Sequence, residues 1–189
     1  MKMKKISLIW ILLIIFIVGC NETSLELKLY ISECNANSET RCVTEFAIKK
    51  GDIQICNKLA KHYGYMAFSP GSPRGYCQKE VALSKNDENL CKVIRNEYSL
   101  YECYSEIARL KKDEGLCENL IEYKDNCYRD AATEITTCEK ITSSREDKFN
   151  CYSQVAQHKM DVQVCDKIVD LDYKDLCYYR IANLQQEQQ

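Results

Sequence analysis

Six times along the chain a cysteine is followed four residues later by an apolar side chain and five residues later by alanine. The pairs are Phe46–Ala47 after Cys42, Val81–Ala82 after Cys77, Ile107–Ala108 after Cys103, Ala131–Ala132 after Cys127, Val155–Ala156 after Cys151 and Ile181–Ala182 after Cys177. Offsets 0, 4 and 5 share one face of an α-helix, so each block predicts a helix with a buried stripe. Alanine at a fixed place predicts close approach of a neighbouring helix, where a larger side chain has no room. Ten residues after four of these cysteines stands an aspartate, Asp52, Asp87, Asp113 or Asp161. Its carboxylate suits the N-cap of a second helix, and Gly51 is placed to end the helix before it. The second helix is shorter and carries Cys56, Cys91, Cys117, Cys138 or Cys165, with Leu59, Ile94, Leu120, Ile141 or Ile168 three residues on. Each unit therefore predicts a helical hairpin.

From Cys77 onward the leading cysteines recur every 24 to 26 residues, and the unit from Cys127 to Cys138 is shortened by three. A hairpin this short cannot bury its own apolar face, so neighbours must stack. The expected fold is all-α: tandem disulfide-stapled helical hairpins in a short-period, solenoid-like array. The repeat domain spans residues 34–184, and residues 185–189, Gln-Gln-Glu-Gln-Gln, read as a disordered tail. Residues 69–75, Ser-Pro-Gly-Ser-Pro-Arg-Gly, hold both prolines of the chain and read as a surface loop. Tyr104, Tyr128, Tyr152 and Tyr178 each follow a leading cysteine and are expected to cover the adjacent sulfur. Tyr98, Tyr123 and Tyr173 fall in or beside interhelix loops and suggest an aromatic ladder along one edge.

The N-terminus has a different pattern. Lys2, Lys4 and Lys5 precede an apolar run from Ile6 to Val18 that spans roughly 20 Å as a helix, short of about 30 Å of hydrocarbon. The run suits the apolar core of a secretory signal. It ends in Ile17-Val18-Gly19-Cys20, which resembles the lipobox of prokaryotic lipoproteins, with isoleucine where leucine is commonest. The resemblance implies a signal peptide over residues 1–19, cleavage before Cys20 and a diacylglycerol on the Cys20 thiol. Residues 20–33 then form a short tether and capping segment, expected as a helix although Leu and charge alternate in it. Cleavage removes three lysines and no acid, leaving 23 basic against 28 acidic side chains. Such a domain has no electrostatic reason to bind nucleic acid. Its membrane attachment would come from the lipid.

Thirteen cysteines raise the question of staples or metal. Pairing those fourteen apart leaves Cys34 and Cys177 unmatched and puts partners such as Cys103 and Cys117 out of register across the hairpin. Pairing each short-helix cysteine with the next leading one, 34–42, 56–77, 91–103, 117–127, 138–151 and 165–177, uses all twelve and is the expected set. No C-x-x-C, G-x-S-x-G, H-E-x-x-H or phosphate-binding glycine loop occurs. Of the two histidines, His62 and His158, the second replaces Leu110 in its unit and reads as a partly buried, hydrogen-bonded side chain. No catalytic, metal or cofactor site is expected. The chain resembles the cysteine-rich tandem helical repeats of exported prokaryotic proteins, a group without a firmly established activity. The expectation is a non-enzymatic envelope lipoprotein that binds a protein, peptide or glycan. The alternative is a thiol-redox or metal-handling envelope protein that uses some of these cysteines.

Overall fold

The computed structural model describes residues 24–34, 38–59 and 71–187. A first helix, α1, covers residues 24–33. Six helices that open the repeat units follow it: α2 (Glu39–Lys50), α3 (Pro73–Lys85), α4 (Glu97–Lys111), α5 (Lys124–Ala131), α7 (Arg145–Lys159) and α8 (Leu171–Glu187). Between them stand η1 (Ile53–Lys58), η2 (Glu88–Val93), η3 (Glu114–Asn119), α6 (Ile135–Glu139) and η4 (Val162–Lys167). No strand occurs among the described residues. The fold is all-α, a tandem series of disulfide-stapled helical hairpins.

Four of the five short elements are 3₁₀ rather than α, contrary to expectation. Each capping aspartate accepts the amide two residues on: Gln54 at 2.9 Å, Asn89 at 3.0 Å, Gly115 at 3.1 Å and Gln163 at 2.9 Å. Backbone bonds three residues back, such as Ile55 to Asp52 and Leu59 to Cys56, open and close each one, and at six residues these are long runs for 3₁₀ winding.

The repeated alanine and aspartate prove to be two ends of one hydrogen bond. The amides of Asp52, Asp87, Asp113 and Asp161 donate to the carbonyls of Ala47, Ala82, Ala108 and Ala156 at 2.9–3.2 Å. This closes a Schellman turn, so one aspartate ends a helix with its backbone and starts the next with its side chain. The turn needs a left-handed residue before the aspartate. Gly51 takes it at φ 64°, but the other units use Asn86, Lys112 and Met160 at φ 49–54°. A side chain in this region costs about 1–2 kcal/mol, partly offset by the entropy glycine would lose. Lys112→Gly is therefore expected to raise stability by about 0.5–1 kcal/mol, read as a higher denaturation midpoint. In the shortened unit the turn is missing. Helix α5 ends at Ala131, and α6 begins after Glu134 without a side-chain cap.

The core runs serially along the array. One buried cluster includes Val43, Phe46, Cys77 and Val81, and a second extends from Ala82 to Ile181. Helix α3 feeds both, since Val81 and Ala82 turn to opposite neighbours. The bridges are Cys34–Cys42, Cys56–Cys77, Cys91–Cys103, Cys117–Cys127, Cys138–Cys151 and Cys165–Cys177, with Cα separations of 5.5–6.0 Å. A polar seam also links successive helices: Lys79 to Glu102 at 3.4 Å, the Tyr101 hydroxyl to Asp130, and Arg129 to Asp147 at 2.8 Å. Burial pushes the Tyr101 hydroxyl up, and its bond to the Asp130 carboxylate pushes it further, so Tyr101 stays protonated at any ordinary pH.

Several expectations change. Ser72 caps α3 through the Gly75 amide at 3.0 Å and Pro73 opens the helix, so the second half of the anticipated loop is helical. Proline is preorganised for that first position. Gly75 is needed inside the helix because a Cβ there would lie 2.5 Å from the Ser99 hydroxyl of α4. At the other end, α8 continues to Glu187, into the segment expected to be disordered, because no Gly or Pro stops it and Leu, Gln and Glu are good helix formers. His158 is exposed, as is Leu110 at the same repeat position. Helix α1 docks through Leu27, through Tyr30 on Phe46 at 5.1 Å, and through Glu26 to Lys50 at 2.6 Å.

Candidate functional site

One edge of the array is formed where each short element turns into the next long helix. The units differ there, as the residue two before the leading cysteine shows. At Tyr101 the ring is 8 % exposed and stacks on Tyr123 at 5.4 Å, so the space is occupied. Asp125 instead accepts the amides of Thr142 and Ser143 at 2.9 and 2.6 Å, tying the following loop to α5. Burial pushes the Asp125 carboxyl up, but those amides outweigh it and hold it below the ordinary aspartate range. Its contribution to stability is therefore full above that range and lost as pH falls through the lowered value.

At Gly75 and Phe149 the edge opens into grooves. The first, of about 650 Å³, is lined by Arg74, Gly75, Arg95, Tyr98 and Tyr123 among others. The second, of about 550 Å³, is lined by Arg145, Lys148, Phe149, Lys167, Val169 and Tyr173 among others. They occupy the same place in the repeat, with Arg74 and Lys148 both three residues before a leading cysteine. Both lie in the size range of ligand sites. The loops of this edge expose Ile121 at 97 % and Val169 at 95 %, each four residues after a short-element cysteine. Tyr123 lies at φ 58° and caps α5 without a side-chain bond. Strain of this kind in an aromatic residue is typical of binding positions.

The loop tyrosines do not make one ladder. Tyr98 and Tyr123 meet edge-on at 6.1 Å, while Tyr173 stacks on Phe149 at 4.5 Å in the second groove. Tyr104, Tyr128 and Tyr152 are buried beside their cysteines, and Tyr178 is half-buried. A further repeat feature escaped the sequence reading. The Tyr128 hydroxyl donates to Glu118, and that of Tyr178 to Asp166 at 2.6 Å. In each case the residues after the two bridged cysteines bond to one another. The signal was present as Cys-Glu or Cys-Asp followed by Cys-Tyr. It was hidden because the contact exists only once the bridge is drawn.

Eleven of the twelve bridged cysteines are buried, and only Cys34 is partly exposed. Cys20 and His62 lie outside the described residues. Among the described residues no group of His, Cys, Asp and Glu could hold a metal ion. None of the described helices is long and apolar enough to cross a membrane. No family model, no curated protein and no solved structure matches the chain. Fold and edge together define a class: a disulfide-stapled array of helical hairpins with repeat-related grooves.

Proposed function

We propose that this is a lipid-anchored, extracytoplasmic scaffold without enzymatic activity, binding a protein, peptide or glycan partner along its loop edge. The observation that carries the reading is the recurrence of a groove at one place in the repeat, flanked by exposed Ile121 and Val169. Repeat arrays use such serial surfaces to bind, and exposed apolar groups clustered at an edge mark interaction sites. Disulfides in this number belong to an oxidising, extracytoplasmic setting. The anchor reading rests on the lipobox resemblance at Cys20.

Two experiments test it. Photo-crosslinkable residues placed at 121 and 169 in cells should trap a partner, whereas one at the exposed Leu110, at the opposite end of its helix, should not. Equal crosslinking at all three would sink the edge model. Cys20→Ser should release the chain from the membrane or leave an uncleaved precursor, and full retention of a processed form would refute the anchor. Thiol counting on the unreduced protein separates the scaffold from the redox alternative. The scaffold predicts no free thiol, and two or more reactive thiols would favour the alternative.

A further inference from the structure

We infer that the groove between α7 and α8 binds an acidic peptide segment that also carries an aromatic or aliphatic side chain. The inference rests on the scaffold reading and names the chemistry of its partner.

The two grooves are related by the repeat, but their charges are used differently. In the first, Arg74 donates to the backbone carbonyls of Asn57 at 2.8 Å and Leu59 at 2.8 Å, so its guanidinium holds the preceding turn. Lys148, its counterpart in the second groove, is half-buried and has only a long contact of 3.5 Å to the Glu139 carbonyl. Arg145 and Lys167 are exposed on the same rim. Among the described residues none of these three cations forms an ion pair; the same holds for Arg95 in the first groove, but there Glu97 lines the groove as well. The one acid lining the groove, Asp170, is engaged at the start of α8, accepting the amides of Asp172 at 3.1 Å and Tyr173 at 3.3 Å. What sets this groove apart is that three such cations converge on one rim whose single acid is already engaged.

Beneath that rim the surface is partly apolar. Half-buried Tyr173 stacks on the core ring of Phe149 at 4.5 Å with 17° between their planes, and Val169 forms an apolar lip at 95 % exposure. A free inorganic anion would meet the charges and leave this apolar surface bare. A neutral apolar segment would cover it and leave three cations without counter-charges. Carboxylates alternating with a ring or branched chain satisfy both parts, and exposed cation rims also speed encounter with an acidic partner.

The test is calorimetric titration of the intact, disulfide-bonded protein with three synthetic peptides of equal length: alternating Glu and Tyr, alternating Gln and Tyr, and alternating Glu and Gly. The Glu/Tyr peptide should bind about tenfold or more tightly than either control, and raised salt should erase its advantage over Gln/Tyr. Arg145→Gln with Lys148→Gln and Lys167→Gln should remove that advantage. Arg95→Gln in the first groove should change affinity by less than about twofold. The substitutions are at the surface, and unchanged circular dichroism with a zero thiol count verifies folding; the single change Lys148→Gln serves as a milder variant. Equal binding of the Glu/Tyr and Gln/Tyr peptides, or of parent and triple variant, overturns the inference. Crosslinking at 121 and 169 with no effect of the triple variant would leave the scaffold standing and this assignment refuted. Glu/Tyr binding without any cellular crosslink would do the reverse.

Discussion

Full reduction of the disulfides is expected to unfold the protein at ambient temperature without added denaturant. The bridges close loops of 8 to 21 residues. In the chain-entropy account each such loop is worth roughly 2.5–3.3 kcal/mol, so the set contributes about 15–20 kcal/mol. Domain stabilities are about 5–15 kcal/mol, so the reduced chain falls below zero. Each unit's own core is small: in the hairpin of α7 and η4 its buried apolar side chains besides cysteine are Phe149, Tyr152, Val155, Ala156, Val164 and Ile168. Reduction should begin at Cys34–Cys42, because Cys34 alone is reachable by solvent thiolate. Mass spectrometry of alkylated intermediates checks the order, and circular dichroism checks the loss of helix. Persistence of full helicity after complete alkylation would mean that packing, not the staples, holds the array. Removing one staple, by Cys165→Ala with Cys177→Ala, should raise hydrogen exchange in α7 to α8 and spare the region of Cys42 and Cys56. Uniform loss of protection would instead make the array one cooperative body.

Ala108→Leu is expected to destabilise the protein by about 1–3 kcal/mol, through overpacking at a site with no free volume. Ala108 is fully buried in α4, and its carbonyl accepts the Asp113 amide at 2.9 Å. Three added carbons would press on the following hairpin and disturb the turn that ends the helix. Ala182 provides an internal control. It holds the same repeat position in α8 but is exposed, since no further hairpin covers it among the described residues. Ala182→Leu should be close to neutral. Equilibrium denaturation of both variants separates the cases, and equal destabilisation would show that the alanine acts through helix geometry rather than through its neighbour.

These two experiments probe what was legible from spacing. The recurrence of Cys, apolar and Ala at helical offsets can be satisfied only by a helix with one buried face, and six copies imply stacking. Parity and register across the hairpins led to the sequential pairing, which is the pairing in the structure. The sequence could not distinguish α from 3₁₀ in the short elements. That choice lies in whether the amides bond three or four residues back, which a six-residue side-chain pattern does not encode. Nor could it show that Asn86, Lys112 and Met160 would accept the left-handed turn for which Gly51 is the ordinary solution.

The binding edge lay further from reach, because it depends on residues distant in the chain meeting across a groove. Gly75 looked like part of a loop, yet its missing Cβ is what lets α3 approach Ser99 of α4. Phe149 and Tyr173 are separated by η4, so their stacking at 4.5 Å was invisible until the Cys165–Cys177 bridge brought α8 alongside α7. Arg74 and Lys148 share a repeat position, and only the surrounding fold binds the first to backbone carbonyls while the second stays without an ion pair. The sequence by itself determined the helical period, the hairpin repeat and the cysteine partners, because these follow from local geometry and from counting. Tertiary structure alone decided which charges are satisfied and which surfaces stay open, because desolvation and pairing depend on what lies across the gap.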